Sequence, residues 1–116
     1  MFTINFHNLI FHAFHGVYKE EAILGNTFEI NASLSFDTDQ QITSLEQTIN
    51  YAAVYEIVKQ RMQKTTPLLE TLVQDLAEDI RAFDNRINSI TISVEKKNPP
   101  ISNMEGSVSV TYKKDF

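Results

Sequence analysis

Apolar and polar residues alternate at period two in four stretches of the chain, and apolar residues recur at helical spacing in two others. The first alternating stretch is Phe2 to Asn8, a predicted strand, after which Leu9-Ile10-Phe11 breaks the alternation and Gly16 marks a turn needing positive φ. Val17 to Asn26 reads as a short polar connection closed by Gly25-Asn26. From Thr27 to Asp37 the alternation is clearest, with Phe28, Ile30, Ala32, Leu34 and Phe36 on one face. A polar loop over 38–47 follows. Val54, Ile57, Val58 and Met62 then stripe a helix beginning near Asn50. A second helix is predicted to start at Thr66-Pro67, a capping hydroxyl before a proline, with Leu69, Leu72, Val73, Leu76, Ile80 and Phe83 as its buried stripe. The third strand opens at Ser89, with Ile90, Ile92 and Val94 on its apolar face, and ends before Pro99-Pro100, which cannot donate to a ladder. Ser107 to Tyr112 forms the fourth.

The predicted order is therefore β-β-α-α-β-β over residues 1–116. The expectation is a single α+β domain, an antiparallel sheet covered on one face by two helices. The polar face of the strands is rich in Ser, Thr and Asn and has few charges, which suits an enclosed, wet surface. A small open sheet also leaves edges to be paired. Both features predict an assembly in which sheets join edge to edge around a hydrated centre.

The formal net charge of −5 argues against nucleic acid or an anionic membrane as partner. With no cysteine, a thiolate metal site or disulfide is excluded. No apolar run approaches the ~18 residues of a membrane span, so a soluble cytoplasmic protein is expected. His12 and His15, three apart, have no carboxylate pair at a metal-ligand spacing, and both read as structural. Strand parity directs Lys96 to the apolar face with Val94, and Lys97 to the other. A lysine aimed at the less solvated side of a sheet beside a rigid turn suits proton transfer.

Four motifs in order carry a family likeness: Phe14-His15-Gly16-Val17 with Glu21 and Gly25-Asn26; Thr48-Ile49-Asn50-Tyr51; Leu68-Leu69-Glu70; and Lys96-Lys97-Asn98-Pro99-Pro100-Ile101. Together they resemble dihydroneopterin aldolase over nearly the whole chain. One departure is Ala13, where family members often carry glycine. The resemblance implies the tunnelling fold, in which four subunits close a barrel from their sheets and two such rings stack into a homo-octamer with active sites between subunits. It implies an aldehyde-lyase of folate biosynthesis that cleaves a small-molecule pterin substrate, 7,8-dihydroneopterin, into 6-hydroxymethyl-7,8-dihydropterin and glycolaldehyde. The ring C=N bond of the substrate takes the electrons released, so no metal, cofactor or covalent lysine is expected.

Carried over residue by residue, the resemblance implies that Lys96 manages protons at the side-chain hydroxyl and ring nitrogen. Tyr51 of a neighbouring subunit would protonate the enamine carbon. Glu70 would accept from the pterin amino group and ring N–H, and Glu21 would hold the side-chain hydroxyls, although a one-residue shift would exchange it for Glu20. Backbone groups around Ile49 and Leu69 would finish the pocket. Two alternatives share much of this pattern. A triphosphate epimerase of the same fold should show a Lys and Arg cluster, and the only doublets here are Lys96-Lys97 and Lys113-Lys114. A non-catalytic pterin- or purine-binding ring would need Glu70 but not Lys96 or Tyr51.

Overall fold

A computed structural model describes residues 1–116, the whole sequence. Strand β1 (Phe2–Ala13) is followed by a short helix α1 (Lys19–Leu24), strand β2 (Asn26–Phe36), a 3₁₀ turn (Leu45–Gln47), helices α2 (Tyr51–Met62) and α3 (Leu69–Phe83), and strands β3 (Ile87–Lys96) and β4 (Val108–Asp115). The sheet is antiparallel with order β1-β2-β3-β4, so both edges are the outer strands of the chain. No helix is long and apolar enough to cross a membrane.

Alternation along β2 becomes burial. Phe28, Ile30, Ala32, Leu34 and Phe36 are all buried against the helices, and from β3 Ile90, Ile92 and Val94 join them. Full burial of each large apolar side chain stabilises by about 1.5–3 kcal/mol. The expected stripe of α2 is buried at Val54, Val58 and Met62, with Ile57 partly so; that of α3 is buried at all its predicted positions except Phe83, which is exposed. Arg61 ties the helices together with a two-pronged contact to Asp79, at 2.7 and 2.9 Å.

Three local features depart from the sequence reading. In β1, two residues (His7 and Asn8) lie opposite Asn31 alone, a bulge in which Asn8 adopts φ 55° and its N–H donates to Asn31 Oδ1 at 2.9 Å. That one extra residue reverses the parity, so Leu9 and Phe11 join Ile4 and Phe6 on the core side. The strand thus continues to Ala13, where the alternation had broken. Second, α1 occupies what reads as a polar connection; six residues are too few to establish a 3.6-residue period. Third, α3 begins at Leu69 with Leu68 as its N-cap residue, not at Thr66-Pro67. The Thr66 N–H is engaged by His15 instead.

The molecule is elongated, 53 × 22 × 21 Å, with a radius of gyration of 15.5 Å. A compact chain of this length would have about 13 Å. The helices cover one face of the sheet. On the other, Asn5, Asn31, Ser33, Thr91, Ser93 and Thr111 line a shallow polar depression.

Candidate active site

The register of β2 on β3 sets Lys96 directly opposite Phe28, on the core face. The parity argument for Lys96 is borne out: the residue is buried, with its Nζ 5.9 Å from the centre of the Phe28 ring. Lys97 lies on the opposite face between Glu29 (3.3 Å) and Glu95 (3.1 Å), and these carboxylates raise its pKa.

A buried ammonium needs a partner. It is Glu21, whose Oε2 accepts from Lys96 Nζ with both side chains almost fully enclosed. Glu20, its neighbour, is exposed. Three backbone devices bring Glu21 there. Its N–H donates to the Tyr18 carbonyl at 3.1 Å, and its Oε1 accepts from the Tyr18 N–H at 3.2 Å, closing the first turn of α1. Gly25, at φ 70°, ends the same helix with an N–H bond to the Glu21 carbonyl. Gly16, at φ 145°, packs its bare Cα against the Glu21 carboxylate, where any Cβ would collide.

His15 and Gly16 also strap this corner to the loop before α3. His15 Nδ1 accepts from the Thr66 N–H at 3.0 Å, and the Gly16 N–H donates to the Thr66 carbonyl at 3.1 Å. His15 is fully buried, edge-on to Phe28. Burial first, and then the positive charge of Lys96, hold its pKa below the ordinary imidazole value. The structural reading of His15 is thus supported, with a neutral ring whose acceptor nitrogen is used.

Glu21 and Lys96 open onto a cavity of about 260 Å³. Leu69 and Glu70, at the start of α3, form a second side, and Pro99, Pro100 and Ile101 a third. Val17 and Leu68, which belong to two of the motifs, and Tyr18 and Val108, which the sequence did not single out, complete much of the lining. Four of the six predicted site residues therefore meet: Glu21, Leu69, Glu70 and Lys96. Ile49 and Tyr51 are not part of this lining. Ile49 is in the core, and Tyr51 stands 64% exposed at the first position of α2, which Asn50 caps by accepting from the Ala53 N–H at 3.2 Å. Val17 (62%) and Leu68 (52%), both in the cavity lining, are likewise exposed.

These features define a class: a small α+β protein with one uncovered polar sheet face, carrying an enclosed lysine–carboxylate pair that opens onto a cleft at the end of the sheet. More particularly, the chain belongs to the family described as FolB: Dihydroneopterin aldolase, whose model matches residues 4–113. It is similar to a dihydroneopterin aldolase of Bacillus subtilis (strain 168), 33% identical over 103 residues, which make up 86% of each chain. Among solved structures it resembles the E. coli dihydroneopterin aldolase in complex with neopterin, with a TM-score of 0.85 at 19% identity over 98% of this chain and 99% of that one. A Burkholderia dihydroneopterin aldolase bound to guanine gives a TM-score of 0.77 at 19% identity, over 98% and 90% of the two chains.

Proposed function

We propose that this chain cleaves 7,8-dihydroneopterin by a retro-aldol reaction, releasing glycolaldehyde and 6-hydroxymethyl-7,8-dihydropterin. The observation that carries the reading is the enclosed Lys96–Glu21 pair facing the same apolar cavity as Glu70. Removal of a proton from the side-chain hydroxyl next to the scissile bond lets that carbon leave as an aldehyde. The electron pair of the broken C–C bond moves into the ring C=N, the ring nitrogen takes a proton, and an enamine results. Protonation at the remaining side-chain carbon, with loss of the nitrogen proton, restores the C=N.

Lys96 is assigned the hydroxyl and ring-nitrogen protons, and Glu21 orients the hydroxyls and the ammonium together. Glu70, at the first turn of α3, suits the paired donors of a pterin amino group and ring N–H. Guanine presents the same donor edge, and one relative was solved with it.

Tyr51 is assigned to protonation of the enamine carbon in a neighbouring subunit's site. Its exposure on this chain supports that division, as do the exposed apolar residues around the cavity, the two unpaired sheet edges and the polar sheet face. The assembly proposed is a ring of four subunits, two rings stacking as an octamer. Light scattering should return the octamer mass; a monomer at micromolar concentration would refute the shared site.

The activity is tested by incubating the purified chain with 7,8-dihydroneopterin and following glycolaldehyde. Glycolaldehyde formed together with the hydroxymethyl product supports the reading. An inverted side chain without glycolaldehyde would instead define an epimerase, and tight pterin binding without turnover a binding ring.

A further inference from the structure

We propose that Asn26 is a positioning residue for the retro-aldol reaction, holding the proline wall of the cavity in place through its side-chain amide. The inference rests on the aldolase reading. Pairing of β2 with β3 ends at Phe28 opposite Lys96, and the Lys97 N–H still reaches the Thr27 carbonyl at 3.0 Å. One step further in the same register, Asn26 lies opposite Asn98. Beyond that point Pro99 and Pro100 have no N–H to offer, so the backbone ladder has no means of continuing.

The Asn26 side chain replaces the missing ladder pair. Its Nδ2 donates to the Asn98 carbonyl at 2.7 Å, and its Oδ1 accepts from the Asn98 N–H at 3.2 Å. The same Oδ1 accepts from the Thr27 N–H at 2.8 Å. With two N–H groups facing one end of the amide and a carbonyl facing the other, only one orientation satisfies all three bonds. The residue is 8% exposed, so these bonds are sheltered from water.

Immediately after Asn98 the chain becomes the wall itself: Pro99, Pro100 and Ile101 line the same cavity as Leu69 and Glu70. The backbone of Lys96 is held separately, by its pairing with Phe28 and Val108. Removing the clamp should therefore release the wall and leave the proton carrier in its place. Substrate affinity should suffer more than the chemical step.

The test compares wild type with Asn26→Ala, which loses both bonds to Asn98, and Asn26→Asp. The aspartate keeps the accepting oxygen but sets a second oxygen against the Asn98 carbonyl. Steady-state kinetics with 7,8-dihydroneopterin, and fluorescence titration with the hydroxymethyl product, give KM, kcat and Kd. Expected are KM and Kd raised ~10-fold or more in both variants, with kcat within ~3-fold of wild type. A lower kcat at unchanged KM and Kd is the signature of a smaller folded fraction and would overturn the proposal, as would two variants that fail to fold. Wild type that neither binds nor cleaves the pterin would overturn the aldolase reading as well, whereas normal wild type with unaltered variants would overturn this inference alone.

Discussion

The contact between Gly16 and Glu21 allows a stability prediction worked from geometry. A methyl group at position 16 would land on the Glu21 carboxylate, and the backbone there sits at φ 145°, where L-residues are strained. Gly16→Ala should cost about 1–3 kcal/mol in backbone strain. It must also push the carboxylate away from Lys96, leaving an enclosed ammonium unpaired, which costs about 3–5 kcal/mol. Glu21→Ala alone should cost the second amount. In that background the new methyl finds room, so Gly16→Ala should then add only the strain. The double-mutant cycle is therefore expected to be strongly non-additive, with a coupling of at least about 2 kcal/mol. Urea denaturation of the four proteins measures it, at one fixed protein concentration because self-association shifts apparent stability. Costs that add to within ~0.5 kcal/mol would mean that the carboxylate does not rest on Gly16.

Three further outcomes are expected. In single-turnover assays Lys96→Ala should suppress glycolaldehyde release by at least ~10²-fold, whereas Tyr51→Phe should release it and stall before the hydroxymethyl product; equal suppression would refute the division of roles. Glu70→Gln, which sets a donor against the pterin's own N–H groups, should weaken product binding by about 2–4 kcal/mol in a fluorescence titration. For His15, the depressed pKa means that the folded chain binds the proton less readily than the unfolded chain. Its contribution to stability is complete above about pH 6.5 and declines as pH falls below that value, so the melting temperature of wild type should drop more between about pH 7.5 and 5.5 than that of His15→Gln. Parallel curves would exclude His15 as the source.

Much of this arrangement is legible in the residues, and where it is not the physical reason is local. Alternation from Phe28 to Phe36 specifies a half-buried strand, and parity alone carries Lys96 to the core side. The same rule fails across His7-Asn8, because a single unpaired residue reverses every position after it. Helix α1 is invisible to periodicity, and it is held by Tyr18, Gly16 and Gly25, not by an apolar stripe. Thr66 resembles an N-cap, yet its N–H is taken by His15, fifty-one positions earlier, a pairing that local pattern has no way to express. Tyr51 entered through family likeness and not through spacing. Asn26 read as the close of a turn and as one residue of a family motif, without a role of its own, since an amide that mimics a strand pair looks like any other turn asparagine.

The Lys96–Glu21 pair also bears on which molecules can enter. Those two charges cancel, so the fixed charge that this chain contributes to the cavity is the single negative charge of Glu70. The proline and leucine walls add no cation to offset it. A phosphate ester on the same ring system would bring further negative charge into a weakly screened space. At ~8 Å and an effective dielectric of ~20, each such charge meets an opposition of about 2 kcal/mol. On this chain's charges alone, a phosphorylated form of the ring system is therefore expected to bind more weakly than the free alcohol.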